Sequence, residues 1–297
     1  ENLLRSFIEY WMDDVPDVIT GWNIQLYDIP YICKRLDRVF GEKLMKRMSP
    51  WGLVSEGEVH IMGRKHTTFD LGGVTQLDYL DLYKKFTYKA QESYRLDYIA
   101  SVELGQKKLD HSEFDTFKEF YSKGWQKFIE YNIIDVELVD RLEDKMKLIE
   151  LALTMAYDAK VNYNDVFYQV RMWDTIIYNY LKKRNIVIPP KNRSTKNEKY
   201  AGAYVKEPIP GKYDWVVNFD LNSLYPHLIM QYNISPETLV EEKHPKANVD
   251  RILNQEIDIN SDYATCANGA QYRKDVRGFL PELMDKMYGD RVIFKNK

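Results

Sequence analysis

One window divides this chain. Residues 181–207 hold eight basic side chains (Lys182, Lys183, Arg184, Lys191, Arg193, Lys196, Lys199 and Lys206) against Glu198 and Glu207, a local balance of +6 in a chain of net charge −3. The same window carries Pro189-Pro190 and Gly202, which interrupt helices and strands, so it predicts a linker or loop rather than a core element. With 297 residues there is material for about two domains of the usual 100–200 residues. Hydrophobic residues at 44% and charged residues at 29% allow an ordinary packed core. No uninterrupted apolar run approaches the roughly 18 residues of a membrane span, and the start at Glu1 does not read as a signal peptide. Cys33 and Cys266 are far apart, which argues against a disulfide scaffold or a structural zinc site and for a reducing compartment. Bulk charge does not announce a polyanion binder, so such a partner needs a local patch.

Before the window, helical spacing of Leu4, Phe7, Ile8, Trp11 and Met12 predicts an amphipathic helix over 1–13. A short strand is expected at Val18–Thr20, closed by Gly21, and a helix from Asp28-Ile29-Pro30 to about Met48. Residues 57–76 read as a hairpin, with strands Val59–Ile61 and Thr67–Leu71 around a turn at 62–65. From Phe114 to about Ala159 the pattern is helical, broken near Gly124, with Phe128, Ile133, Val136, Leu142, Met146, Ile149 and Leu153 as the expected buried face. After the window, Trp215–Asp220 reads as a buried strand ending on a carboxylate.

Three places offer chemistry. Asp28 opens a helix behind an apolar strand; it is either an N-cap or a cleft carboxylate able to hold a divalent metal. Tyr131 and Asp135 are four apart in a helical stretch and share a face, so they are either a solvated pair or a phenol and carboxylate holding one water and one metal. Asp220-Leu221-Asn222-Ser223-Leu224-Tyr225-Pro226 is either a strand end with a Ser/Thr turn or a cradle for a metal–triphosphate complex. The five histidines have no metal-type grouping and read as surface or satisfied core residues.

Taken together and in order, these motifs resemble the family B DNA polymerases. Gly21-Trp22-Asn23 through Asp28-Ile29-Pro30-Tyr31-Ile32 resembles the family's second exonuclease motif, and Tyr131-x3-Asp135 the third. Tyr200-Ala201-Gly202-Ala203 is similar to the element between the exonuclease and polymerase modules, and Asp220-x2-Ser223-Leu224-Tyr225-Pro226 to polymerase motif A. Pro281 and Arg291-x3-Lys295 resemble the start of the fingers helix. Residues 77–86 and 234–238 resemble the replicative polymerases of T-even-type phages.

The resemblance implies α/β and α+β architecture: an RNase H-like 3′–5′ exonuclease domain at 1–147, a connecting segment of the N-terminal domain at 148–191, the first half of a polymerase palm at 192–277 and the start of the fingers at 278–297. It implies a DNA-directed DNA polymerase with proofreading, using Mg²⁺ or Mn²⁺, two ions per active site. In that assignment Asp28, Tyr131, Asp135 and Asp220 are catalytic. Asp28, Asp135, Asp220 and Leu221 belong to metal sites; Ser223, Leu224, Tyr225, Arg291 and Lys295 bind the nucleotide; and Asn23, Lys196, Lys199, Tyr200 and Gly202 contact DNA. Tyr225 is the sugar gate, and the 57–76 hairpin helps part primer from template. The implied partners are primer-template and single-stranded DNA, deoxynucleoside triphosphates, a sliding clamp and other replisome proteins, with no membrane, in the cytoplasm of an infected bacterial host. The family's first exonuclease motif, Asp-x-Glu, and the palm's later Asp-Thr-Asp are not found in these residues, so this stretch alone is expected to catalyse neither reaction well. The rival readings are a stand-alone nuclease of the same type, which has no need of motif A, and a non-catalytic DNA-binding remnant.

Overall fold

In the computed structural model, which describes residues 1–61, 63–188, 190, 205–257 and 262–296, the chain forms two units, Glu1–Lys196 and Asn197–Lys297.

The first unit begins with α1 (Asn2–Asp13), whose apolar face buries Ile8 fully and whose Trp11 indole N–H donates to the Met48 carbonyl at 3.2 Å. β1 (Val18–Gly21) follows, as the apolar run predicts. The helix expected to reach Met48 is interrupted. α2 (Asp28–Phe40) stops at Gly41, whose φ of +85° suits only a residue without Cβ, and the chain continues as α3 (Glu42–Met45) and a 3₁₀ turn, Lys46–Met48. β2 (Val54–Ile61) and β3 (Arg64–Leu71) form the hairpin, in register from Val54↔Leu71 to Ile61↔Arg64. Its strands are longer than expected and its turn shorter, with Gly63 at φ +75°. β4 (Thr75–Asp78) lies parallel to β1, with Gly21 opposite Asp78.

α4 (Tyr79–Phe86) is capped by Asp78, and α5 (Leu96–Leu104) ends on left-handed Gly105. α6 (Phe117–Lys123) is N-capped by Thr116, which accepts from Glu119 N, while the Glu119 carboxylate accepts from Asp115 N just before the cap. The expected break at Gly124 separates it from α7 (Trp125–Met146), and a second break at Lys147 (φ +55°) starts α8 (Leu148–Ala159). Glu143 bridges that break by accepting the amides of Ile149 and Glu150. A 3₁₀ turn, Tyr163–Phe167, leads into α9 (Gln169–Lys182).

Two apolar clusters hold this unit. One joins Leu77, Tyr79, Leu82, Tyr83, Ile99, Leu138, Leu142, Leu148 and Ala152, with Trp22 and Ile134 packed against it. The other joins Ile8, Ile29, Cys33, Leu36, Met48, Phe69 and Leu71. Each such large side chain contributes about 1.5–3 kcal/mol when fully buried. The buried face of α7 differs from expectation: Ile133 and Val136 are 52% and 71% exposed. Ile134, Leu138 and Leu142 point inward instead, and at about 100° per residue their neighbours at 133 and 136 turn away.

The second unit contains α10 (Leu224–Gln231), a 3₁₀ turn, Pro236–Thr238, α11 (Val249–Leu253), the antiparallel pair β5 (Tyr263–Thr265) and β6 (Gln271–Arg273), and α12 (Phe279–Lys295). Its internal pin is Asn233, buried at φ +54°. Its amide donates to the carbonyls of Arg273 and Val276, and its oxygen accepts from Gly278 N. The buried strand expected at Trp215–Asp220 is absent. These residues have no regular structure, and Trp215 and Phe219 are 94% and 85% exposed. An apolar run becomes a buried strand only when a neighbour takes its backbone groups, and none of the described strands pairs with it.

Candidate functional sites

The turn that carries Asp28 is built by backbone constraints. Gly21 lets the turn close tightly: a Cβ there would lie 2.5 Å from Ile24 Cγ2 and force that side chain to shift. The Trp22 indole N–H donates to Tyr94 O at 3.1 Å and ties the turn to the first cluster. Asn23 takes φ +69°, a conformation Asn tolerates better than most residues. The amides of Asn23 and Gln25 both donate to the Asp78 carboxylate, at 2.9 and 3.1 Å. Asp28 then stands in the first turn of α2. It makes no side-chain cap bond, so the N-cap reading fails; partial burial lifts its carboxyl above the ordinary carboxylate range, against the pull of the helix N-terminus on an anion.

Tyr131 and Asp135 do share a face of α7, and a residue the sequence did not flag joins them. Lys108 Nζ donates to Asp135 Oδ2 at 2.6 Å and to Tyr131 Oη at 3.2 Å. Lys108 is itself held by its backbone N–H, which donates to Asp97 Oδ1 at 2.8 Å. Burial works against the ammonium, but its hydrogen bonds to Asp135 and Tyr131 outweigh that and lift its pKa above the ordinary lysine range. The other carboxylate oxygen, Asp135 Oδ1, is buried without any partner. Such an oxygen is costly to leave unmatched, and a cation is its natural complement. Asp135 therefore fits a metal ligand. Among the described residues, however, no three His, Cys, Asp or Glu side chains converge into a metal-binding group, and Asp28 makes no hydrogen bond or ion pair with Asp135 or Tyr131. Beside Tyr131 stands an aromatic wall: His111 stacks on Phe120 at 5.0 Å and meets Tyr131 edge-on at 5.4 Å. His111 is thus engaged as a ring, whereas His244 keeps a buried, unpartnered Nδ1 against the expectation of a satisfied core histidine.

In the second unit, left-handed Ser223 (φ +52°) precedes α10, whose first-turn amides have no intrahelical acceptor. Arg291 Nη1 donates to Ser223 Oγ at 2.8 Å, so α12 brings the expected phosphate-contacting guanidinium to the start of α10. The His227 ring meets Tyr288 edge-on at 4.7 Å and locks the two helices together. Asp220, Leu221, Leu224 and Tyr225 are exposed, and Lys295 closes α12. Lys196, Lys199, Tyr200 and Gly202 lie outside the described residues.

Two family models match this chain: DNA polymerase family B, exonuclease domain, over residues 1–99, and DNA polymerase family B over residues 168–297. The chain belongs to the family B DNA polymerases. Tyr131 and Asp135 fall between the two matches. The chain is 39% identical over 292 residues to the DNA-directed DNA polymerase of Escherichia phage RB69, covering 98% of this chain and 32% of that protein. To the DNA-directed DNA polymerase of Enterobacteria phage T4 it is 35% identical over 296 residues, 100% of this chain and 33% of that one. Similarity extends to the DNA polymerase delta catalytic subunit of Schizosaccharomyces pombe, 27% identical over 303 residues, 98% of this chain and 27% of that one. The chain thus spans about a third of the length of the phage relatives it matches. No helix among the described residues is long and apolar enough to cross a membrane.

Proposed function

We propose that this chain is the exonuclease-to-palm part of a replicative DNA polymerase that excises mismatched 3′ ends and extends primers with deoxynucleotides. The observation that carries the reading is the Tyr131–Lys108–Asp135 cluster with its unmatched Asp135 oxygen. Residues 1–147 serve as an RNase H-like exonuclease domain, 148–191 as a connecting segment of the N-terminal domain, 192–277 as the first half of the palm and 278–297 as the base of the fingers. Its DNA, triphosphate and clamp partners are those of a phage replisome in a bacterial cell.

In the exonuclease, Asp28 and Asp135 hold divalent cation, Mg²⁺ or Mn²⁺. Bound there, such an ion acidifies water and offsets the charge that develops on the phosphate. The Tyr131 hydroxyl orients the attacking water, and Lys108 keeps that hydroxyl and the Asp135 carboxylate in register. Asn23 and the basic stretch with Lys196, Lys199, Tyr200 and Gly202 contact the DNA strand. In the palm, Asp220 and the Leu221 backbone take the metal–triphosphate complex, Ser223, Leu224, Arg291 and Lys295 meet its phosphates, and the Tyr225 ring excludes a 2′-hydroxyl by bulk.

The test is a gel assay of labelled single-stranded DNA with Mg²⁺ and the full-length protein. Wild type shortens the strand from its 3′ end, and Asp135→Ala slows this by about 10²–10⁴-fold, the scale of losing a group that acts on the reacting atoms. Undiminished shortening by Asp135→Ala removes the assignment.

A further inference from the structure

Parallel pairing of β1 with β4 sets Gly21 beside Asp78, at the point where the chain leaves the sheet for α2. Asp78 is 2% exposed, and both of its oxygens are in use. Oδ1 accepts from Leu80 N at 3.0 Å, the ordinary cap of α4, and also from Asn23 N at 2.9 Å. Oδ2 accepts from Gln25 N at 3.1 Å. Capping α4 needs only the first of these bonds, and Ser, Thr or Asn would supply it. A buried carboxylate is an expensive cap, tolerable only when several N–H groups converge on it. Burial pushes the Asp78 carboxyl up, the charge of Asp81 adds to that, and the three amides oppose it.

Past Gln25, the turn hands its order to α2: Tyr27 N donates to Asn23 O at 3.2 Å and Ile29 N to Ile24 O at 3.0 Å. Asp28 rides on this run. Its place thus depends on the 23–25 backbone, which Asp78 holds from an element more than fifty residues further along the chain.

We propose that Asp78 is a positioning residue of the exonuclease site: its carboxylate fixes the 23–25 turn and thereby where Asn23 and Asp28 are presented. This rests on the exonuclease reading above. It assigns Asp78 no contact with substrate or metal.

Asp78→Asn separates positioning from capping. The amide keeps Oδ1 for Leu80 and Asn23 and turns Nδ2 toward the Gln25 N–H, where two donors face each other. On the 297-residue chain, hydrogen exchange at Gln25 should quicken about tenfold or more while Leu80 and the rest of α4 hold their wild-type rates. In the full-length protein, single-strand excision should fall about 10- to 100-fold in kcat, the scale of a small misplacement, and the Mn²⁺ concentration for half-maximal excision should rise. A residue that only stabilises the fold would leave that midpoint unmoved. Asp78→Ser, which caps α4 but is too short to hold the turn, should reproduce both effects and gives the answer if the Asn variant folds poorly. Wild-type exchange at Gln25, or an unchanged Mn²⁺ midpoint whatever the kcat, overturns the proposal. Asp135→Ala runs in parallel. If it retains excision, the exonuclease reading itself has failed; if it loses excision while Asp78→Asn keeps it, only the positioning role has.

Discussion

The stretches 18–28 and 215–225 are written alike, each an apolar run closing on a polar turn and then a helix carrying a carboxylate or phenol of interest. They end differently. The first is paired: β4 takes the backbone of β1, Thr20 Oγ1 donates to Leu77 O at 2.7 Å, and Trp22 and Asp78 tie down the turn. The second leaves Trp215, Val216, Val217 and Phe219 open to solvent, and only its far end is engaged, through Ser223 and Arg291. Local propensity is similar in the two. What separates them is a neighbouring strand, which a sequence run does not carry within itself.

The contrast predicts where substitutions hurt. The largest effect belongs in the paired region's core: Leu142→Ala removes a fully buried side chain of α7 and should cost about 2–5 kcal/mol in denaturant unfolding of the first unit. A loss as small as that of a surface site would mean that α7 does not seal this core.

Lys108→Met comes next. It strands the partly buried Asp135 carboxylate and should cost about 1–3 kcal/mol, less than a fully buried pair. The sign with pH follows from the raised Lys108 pKa: a cation favoured by the fold stabilises fully below its unfolded value, near 10.5, and ceases to do so as pH climbs through the higher folded value. The gap between wild type and Lys108→Met should therefore be constant at neutral pH and shrink in strongly alkaline solution, as read by melting curves. A gap that widens there would contradict the ion pair.

The smallest effect is expected in the open region. Phe219→Ala should change stability by no more than about 0.5 kcal/mol, because that ring is already in water. A cost of several kcal/mol would show that the 215–220 run is covered in solution and would erase the contrast.

Much of this was legible from residue order, where the signal is local. α1, β1, the hairpin and the break at Gly124 follow from period, turn chemistry and a glycine. The shared face of Tyr131 and Asp135 follows from their spacing. Lys108 was not legible. It lies in the irregular stretch between α5 and α6, where no periodicity assigns a direction, and its neighbour Lys107 offers the same chemistry. Asp78 shows a cap's signature and conceals its second role, because the amides it accepts are 53 and 55 residues away and arrive only through parallel pairing. The phase of α7 is not set by residue type, because Ile133, Ile134 and Val136 are equally apolar and only packing turns Ile134 inward.

The Lys108–Asp135 pair has a consequence for solution chemistry. An ammonium tethered by its own chain already sits on one oxygen of the carboxylate that an added cation would seek. At the cation site proposed above, an ion on Oδ1 would meet a fixed positive charge already held on Oδ2, and repulsion would lower its affinity. A titration with divalent ion would report the intrinsic pull of the carboxylate diminished by the tethered rival. Neutralising that charge, as in Lys108→Met, would tighten cation binding at Asp135 while removing the hydrogen bonds that hold Tyr131 and Asp135 in register.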